Sequence, residues 1–325
     1  MDGDPVKLLV TGGLGFIGSN FIRHMLNTHP ECTITNLDAI TYAGNPANLV
    51  DIEKDPRYFF VQGNICNRQI VNSVFSHHGI DTVVHFAAES HVDRSIQDSS
   101  AFVKTNVLGT QTLLETALHH KCLRFVHIST DEVYGSTAKE SFKETDMLNP
   151  SSPYSASKAA SDLLAYAFFI TYGLPVIITR CSNNYGPYQY PEKLIPLFVT
   201  NLLDGKKVPV YGTGRNVRDW IHVGDHCRAI DFLIDKGNSG EIFNIGGENE
   251  KTNLEITEKI LKLLKKDDSM IEHVKDRPGH DFRYSLDCSK LRRLGWKPSQ
   301  SFEEGLTDTV RWYVQNEWWW RPLKK

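Results

Sequence analysis

Six short apolar runs, interleaved with longer stretches of helical spacing, fill the first 180 residues. Lys7–Thr11, Thr33–Asp38, Tyr58–Gln62, Thr82–Ala87, Arg124–Ser129 and Val176–Arg180 look like strands, several of them unbroken apolar runs rich in Val, Ile and Phe. Such strands suit a parallel sheet covered on both faces, because a sheet with one wet face would alternate. Helix-like stretches lie between them, among them Gly18–Asn27, Ala101–His119 and Ser155–Tyr172. This rhythm predicts an α/β fold: a doubly wound, Rossmann-type parallel sheet with right-handed crossovers.

Beyond Cys181 the pattern changes. Asn183–Pro191, rich in Asn, Tyr, Gly and Pro, reads as a loop rather than a sheet element. A helix (Lys193–Leu203), a strand (Val208–Tyr211), a turn (Gly212–Gly214), a helix (Val223–Lys236) and a strand (Glu241–Ile245) follow, and from Thr252 two helices (Leu254–Lys265, Phe302–Asn316) flank the irregular Asp276–Tyr284. At 325 residues the chain exceeds one typical domain. A smaller α/β domain, interleaved in sequence with the first, fits best: residues 1–180 plus about 219–247 against about 181–218 plus 248–325.

Charge narrows the ligands. Lys and Arg number 36 against 39 Asp and Glu, a net charge of −3, so nothing recommends nucleic acid or an anionic membrane. An anionic ligand must be held by local charges and backbone amides. The six cysteines lie at least 34 residues apart with no Cys-x-x-Cys pair, which disfavours a zinc ribbon or disulfide scaffold. The start, Met-Asp-Gly-Asp-Pro, lacks a signal-peptide layout, and Gly173 and Pro175 break the longest uncharged run, Leu163–Thr179. The expectation is a soluble cytoplasmic protein.

The first strand runs into Gly12-Gly13-Leu14-Gly15-Phe16-Ile17-Gly18. Glycines at 12, 15 and 18 let the chain turn tightly and let backbone approach a pyrophosphate, at which the following helix aims its first amides. The spacing gains force from its place between an apolar strand and a helix. The second strand ends on Asp38, 20 residues after Gly18. A carboxylate there accepts from the adenosine ribose hydroxyls and repels a 2′-phosphate; with no Arg beside it, NAD is expected rather than NADP.

Tyr154-Ser155-Ala156-Ser157-Lys158 places a phenol and an ammonium on one helix face. The ammonium is expected to lower the phenol pKa from its usual value near 10, so that the tyrosine removes a proton from a carbinol as hydride leaves. Ser129-Thr130-Asp131-Glu132 stands where an open α/β sheet keeps its active site. Adjacent carboxylates hinder each other's ionisation, so the pair can hold one acid and one base. An acid and a base beside a hydride shuttle indicate oxidation coupled to elimination.

These residues resemble the extended short-chain dehydrogenase/reductase superfamily and, more narrowly, its dTDP-glucose 4,6-dehydratases. The resemblance covers almost the whole chain: the Gly12–Gly18 loop, Phe86–Ser95, Ser129–Gly135, Tyr154–Lys158, Ser182–Gln189, Pro191–Pro196, Val217–Trp220 and Arg277–Asp281. It implies that Tyr154 takes the C4 hydroxyl proton as NAD accepts the hydride. Glu132 then abstracts the C5 proton, Asp131 protonates the departing C6 hydroxyl, and hydride returns to C6, giving dTDP-4-keto-6-deoxyglucose and water. Thr130 would hydrogen-bond near O4. For NAD the resemblance adds Phe16, Ile17, Asp38, Ala39, Ile40, Thr41, Asn64, Ile65, Phe86, Ala87, Ala88, Glu89, Ser90, Thr105 and Asn184 to the glycines, Tyr154 and Lys158. Asn64 departs from the Asp the family commonly carries, which changes only the expected adenine contacts. For the nucleotide sugar it implies Ser90, Thr130, Asn183, Lys193, Leu194, Pro209, Val210, Tyr211, Arg218, Asn253, Arg277, His280 and Asp281. Arg218 would clamp the pyrophosphate, since a guanidinium fork matches phosphate oxygens; the plainer alternative is a surface ion pair with Asp219.

Three rivals stand beside this reading. The same dehydration of UDP-glucose differs by one base methyl, and a 4-epimerase would leave Asp131 and Glu132 without a role. A non-catalytic NAD sensor would be expected to lose Tyr154 or Lys158. His222 and His226, four apart, have no third ligand in view, so no metal is expected. Trp318–Trp320 is expected to pack the tail onto the second domain. Leu163–Ile170, apolar around its circumference, is expected to be buried on both sides. The family pairs as a homodimer through this helix and the one near Ala101–His119.

Overall fold

The structure, a computed structural model, describes residues 6–276 and 280–324. Its strands are β1 (Lys7–Thr11), β2 (Thr33–Asp38), β3 (Tyr58–Gln62), β4 (Thr82–His85), β5 (Arg124–Thr130), β6 (Val176–Cys181), β7 (Asn183–Tyr185), β8 (Val208–Tyr211), β9 (Val217–His222), β10 (Ile242–Ile245), β11 (Glu250–Thr252) and β12 (Ile271–Val274). Seven form one sheet in the order β10-β6-β5-β4-β1-β2-β3, all parallel. Strand order reverses between β1 and β4, and that is where an open α/β sheet leaves a crevice outside its carboxyl ends.

Except along the edge strand β3, where Phe59 and Phe60 are exposed, both faces of the sheet are dry, which explains the continuous apolar strands. Along β1, Leu8 and Val10 pack with Val84 and Val126 under the helices Phe16–Thr28 and Val223–Lys236. Leu9 turns the other way, joining Val83 and Phe125 under Arg68–His78, Thr110–His119 and Pro153–Tyr172. Each such fully buried side chain contributes about 1.5–3 kcal/mol. A second lobe holds a three-stranded sheet, β11-β9-β7, and the pair β12-β8. Its core gathers Phe198, Val199, Trp220, Ile260 and Tyr313 with Trp319 and Trp320 from the tail. Trp319 Nε1 donates to Asn48 Oδ1 at 2.7 Å and Trp320 Nε1 to the Tyr313 carbonyl at 2.8 Å, while Trp318 stays exposed.

Four local expectations change. Asn183–Tyr185 is a strand, not loop, because it pairs in parallel with β9, a partner more than thirty residues away in sequence. β9 itself was not expected: charged Arg218 and Asp219 interrupt its apolar residues, yet both are buried. The expected domain boundary at residue 219 falls inside it. The helix expected over Ala101–His119 carries a π-helical segment, Val103–Gly109, the kind of irregularity that gathers at functional sites. Finally, the apolar helix Pro153–Tyr172 buries one side only within the chain: Leu163 is 61% exposed, Tyr166 42% and Ile170 62%.

Candidate active site

A cavity of about 330 Å³ opens at the carboxyl ends of the sheet. Gly12, at φ 72°, starts its floor; a Cβ there would lie 2.7 Å from the Ala87 backbone, so only glycine fits. Gly18 is equally constrained, since a Cβ would meet the Gly12 carbonyl at 2.4 Å. The helix then begins at Phe16 with Gly15 as its cap and no side chain on its first amides. Gly15, Phe16, Ile17 and Gly18 all line the cavity, presenting the orphan N–H groups of a helix start where an anion would sit.

Asp38 closes this end. Its Oδ2 accepts from Leu14 N at 3.0 Å and its Oδ1 from Ile40 N at 2.8 Å. Burial nonetheless outweighs those two amides and raises its pKa. Ile40 holds a left-handed conformation, φ 51°, costly for a β-branched residue, and supplies one of the amides that fix Asp38. It does not line the cavity, whereas Ala39, Thr41, Asn64, Ile65, Phe86, Ala87, Ala88, Glu89, Ser90, Thr105 and Asn184 do. Thr105 comes from the π-helical segment. Its neighbour Asn106 is tied through Oδ1 and Nδ2 to the Glu89 backbone and through Nδ2 to Ser157 Oγ, which joins this wall to the catalytic helix.

That helix starts where it does because Ser152 caps it reciprocally with Ser155, Pro153 occupies the first turn, and Gly173 (φ 71°) ends it. The cap is worth about 0.5–2 kcal/mol. Tyr154 and Lys158 therefore project one turn apart, both into the cavity. Lys158 Nζ donates to the Ile128 carbonyl at 2.7 Å. β5 delivers Thr130, whose hydroxyl accepts from Glu132 N and so starts a 3-10 turn, Asp131–Tyr134. Thr130 and Glu132 line the cavity. Asp131 is buried behind them: Thr130 Oγ1 donates to its Oδ1 at 3.2 Å, and its Oδ2 has no hydrogen-bond partner among the described residues.

The electrostatics separate these groups. Burial, reinforced by Glu132 and Asp219 and opposed by Arg218 and the Thr130 hydroxyl, pushes Asp131 well above the usual carboxylate range and so favours its acid form. Lys158 falls to about 8 through burial, with Asp162 and Cys181 pulling it back. The expectation of a lowered Tyr154 pKa is corrected. Its burial, then Glu132, Cys181 and Asp131, drive it well above 10, and only the Thr130 hydroxyl acts the other way. Burial penalises the phenolate, and two neighbouring carboxyl groups add to that penalty.

Of the expected sugar-side residues, Ser90, Asn183 and Lys193 line the cavity, and Lys193 Nζ donates to the Ser90 carbonyl at 3.2 Å. Leu194, Pro209, Val210, Tyr211, Arg218, Asn253, His280 and Asp281 lie beyond its lining, and Arg277 lies outside the described residues. Most of these form a second cluster. Asn216 accepts from Asn253 N and donates to the Asp281 carbonyl, and His280 packs edge-on to Tyr211. Arg218 is buried, donates to the Val217 and Asp281 carbonyls and stacks on Tyr284. Asp219 accepts instead from the Gly247 and Asn249 amides, so the surface ion pair is not formed. His226 hydrogen-bonds Asn184 Oδ1 at 2.9 Å and His222 caps its helix.

Several lining residues were missed from the sequence. Tyr42 donates to Glu192 Oε1 at 3.1 Å beneath the Arg94 guanidinium, closing the wall between the two lobes. Both adjoin segments already singled out, Asp38–Thr41 and Lys193. Cys181, whose thiol donates to the Ser129 carbonyl, carries no local signal.

The geometry has close counterparts. The family model for GDP-mannose 4,6 dehydratase matches residues 9–309. A dTDP-glucose 4,6-dehydratase of Streptomyces niveus is 55% identical over 324 residues, 98% of this chain and 96% of the relative. Among solved structures, DesIV, the dTDP-glucose 4,6-dehydratase of Streptomyces venezuelae solved with NAD bound, superposes with a TM-score of 0.96 at 55% identity, covering 98% of this chain and 100% of that one. The NAD complex of Thermus thermophilus UDP-glucose 4-epimerase shares the fold at a TM-score of 0.89, but with 29% identity over 96% of this chain and 100% of that one. Matched along nearly its whole length, this chain belongs to the GDP-mannose 4,6 dehydratase family of extended short-chain dehydrogenases/reductases and groups there with the dTDP-glucose 4,6-dehydratases.

Proposed function

We propose that this chain is an NAD-dependent dTDP-glucose 4,6-dehydratase, a lyase that converts dTDP-glucose to dTDP-4-keto-6-deoxyglucose and water. The observation that carries this reading is the joint lining of one cavity by the glycine cradle, Tyr154, Lys158, Thr130 and Glu132, with the buried Asp131 carboxyl hydrogen-bonded to Thr130 directly behind. The cradle fits NAD: it offers uncapped helix amides, backbone too close for any side chain at Gly12 and Gly18, and the Asp38 carboxylate at the far end. Bound NAD supplies the acceptor for the C4 hydride and later its donor to C6.

The chain's residues do the proton work. Tyr154, oriented by Thr130 and by the Lys158 ammonium, takes the C4 hydroxyl proton. Once C4 is a ketone the C5 proton is acidic, and Glu132 removes it. Asp131 gives its proton to the C6 hydroxyl, so the C6–O bond breaks and water leaves; Glu132 later returns a proton to C5. Lys193, Asn183 and Ser90 hold the sugar nucleotide, and Arg218, with the Tyr211, Asn253, His280 and Asp281 cluster, takes its diphosphate and base. The two-lobe division, 1–180 plus 219–247 against 181–218 plus 248–325, separates cofactor from sugar nucleotide.

A 4-epimerase shares the fold, yet it has no use for a buried carboxyl of raised pKa beside a second carboxyl group. UDP-glucose differs from dTDP-glucose by the base methyl, worth about 1 kcal/mol in a base pocket, and by a ribose 2′-hydroxyl, so discrimination at the base itself is expected to be modest. Incubation of the purified protein with each nucleotide sugar, followed by the alkali-induced absorbance of 4-keto-6-deoxy products, tests the reading. Turnover of dTDP-glucose is expected; turnover of neither would sink it.

The same reading includes a cytoplasmic homodimer. Among the described residues no helix is long and apolar enough to cross a membrane. Leu163, Tyr166 and Ile170 are exposed on the catalytic helix, and Val103 and Leu108 are exposed on the π-helical segment packed against it. Together they make an apolar face of the sort a symmetry mate covers. Light scattering is expected to give twice the chain mass, and Ile170→Glu with Leu163→Glu to halve it; a monomer for the unaltered chain at micromolar concentration would refute the pairing.

A further inference from the structure

Beneath the cavity a buried ion pair joins the elements that carry this chemistry. Asp162 stands one turn beyond Lys158 on the same helix, 1% exposed, and its Oδ2 accepts from Arg180 Nε at 2.7 Å. Arg180 belongs to β6, the strand that leads into Cys181 and Asn184. Its Nη1 donates to Tyr134 OH at 2.8 Å, and Tyr134, at the end of the Asp131–Glu132 turn, donates onward to Asn244 Oδ1 of β10 at 2.9 Å. One guanidinium thus touches the helix of Tyr154 and Lys158 and the turn of the paired carboxyls.

Stability is a weak account of such a pair. Taking two charges out of water costs so much that well-packed apolar residues in their place are often neutral or better. This pair also leaves Asp162 Oδ1 without a hydrogen bond, 3.9 Å from His127 Nε2.

We propose that Asp162 and Arg180 are positioning residues, Asp162 setting a fixed negative charge one turn below the Lys158 ammonium and Arg180, through Tyr134, fixing the acid–base turn against the catalytic helix. The inference rests on the roles given above to Lys158 and Glu132. The groups that face Lys158 from the packed elements are His85 of β4, His127 of β5, Cys181 of β6 and Asp162. His85, held between the Thr11 and Thr110 hydroxyls, titrates at about 3, His127 is also kept neutral, and burial lifts the Cys181 thiol to about 12. Burial raises Asp162 too, and Arg180, Lys158 and the Ser129 hydroxyl oppose that rise without cancelling it. That leaves Asp162 as the group that holds the lysine's proton.

The test compares pH profiles and individual steps with dTDP-glucose. Removing the negative charge makes Lys158 lose its proton earlier, so in Asp162→Asn the alkaline limb of kcat is expected to move about one unit lower, roughly a tenfold loss above it, with KM little changed. Asp162→Glu should restore the limb. Tyr134→Phe keeps the ion pair and removes the hydroxyl that links Arg180 to the turn, together with its bond to Asn244 of β10. It should leave C4 oxidation intact and slow solvent-deuterium incorporation at C5 about tenfold, a misplacement effect; should Asp162→Asn fail to fold, this variant decides the matter. An unmoved limb, or equal slowing of both steps in Tyr134→Phe, would overturn the inference. An inactive wild-type protein would instead overturn the assigned reaction.

Discussion

Glu132→Gln is expected to oxidise the sugar at C4 and then stall. Glutamine keeps the size of the side chain and its place at the cavity wall but has no basic oxygen, so the C5 proton stays. Loss of a positioned general base costs about 100- to 10,000-fold, or about 2.7–5.5 kcal/mol of barrier. Stopped-flow absorbance should show enzyme-bound NADH that persists, and the product should gain no solvent deuterium at C5. Because burial raises the Asp131 pKa and, among the described residues, only Thr130 hydrogen-bonds it, ionising it to take over as base is disfavoured. A full rate of water release in this variant would remove Glu132 from the mechanism.

Tyr154→Phe acts one step earlier, and the effect should be of similar size, now on the first hydride transfer. Burial and the two carboxyl groups raise the phenol's pKa, so it is protonated at neutral pH in the free site. The phenolate must be won from the Lys158 ammonium and the positive charge of the oxidised cofactor. The sign follows: a raised pKa means the base form grows as pH rises, so the first step should accelerate with pH on its acid side until Lys158 loses its own proton. Phenylalanine at 154 should abolish that rise. Single-turnover NADH formation across pH measures it, and an unchanged rate and slope would discredit Tyr154 as the base.

How much of this was legible in the sequence differs by part. The parallel sheet was readable from its continuous apolar strands, because burial on both faces leaves a mark in every residue. The glycine loop was readable because each of its constraints is local: a turn, a close backbone approach, a helix start. In the second lobe the long helices and β8 were readable, but the three-stranded sheet was not, since β7 and β9 pair across a long separation and β9 places buried Arg218 and Asp219 where periodicity expects solvent. Nor could adjacency say which of Asp131 and Glu132 faces the cavity. Successive side chains on a 3-10 turn point about 120° apart, so one lines the site and the other lies behind it. The Tyr154 pKa was misjudged for a related reason: a motif names the ammonium nearby but not the depth of burial. The apolar helix was read as buried on both sides, and the chain by itself supplies only one of them.

The central claim is that one enclosed site removes a hydride, expels water and returns the same hydride to the next-but-one carbon. dTDP-glucose deuterated at C4, mixed with unlabelled substrate and turned over by the purified protein, measures this directly by mass spectrometry and NMR of the product. The label should appear at C6 within the molecule that carried it, without crossover. Label retained at C4 would mark an epimerase, and label lost to free NADH would mean that the cofactor leaves between steps; either result contradicts the reaction assigned to this cavity.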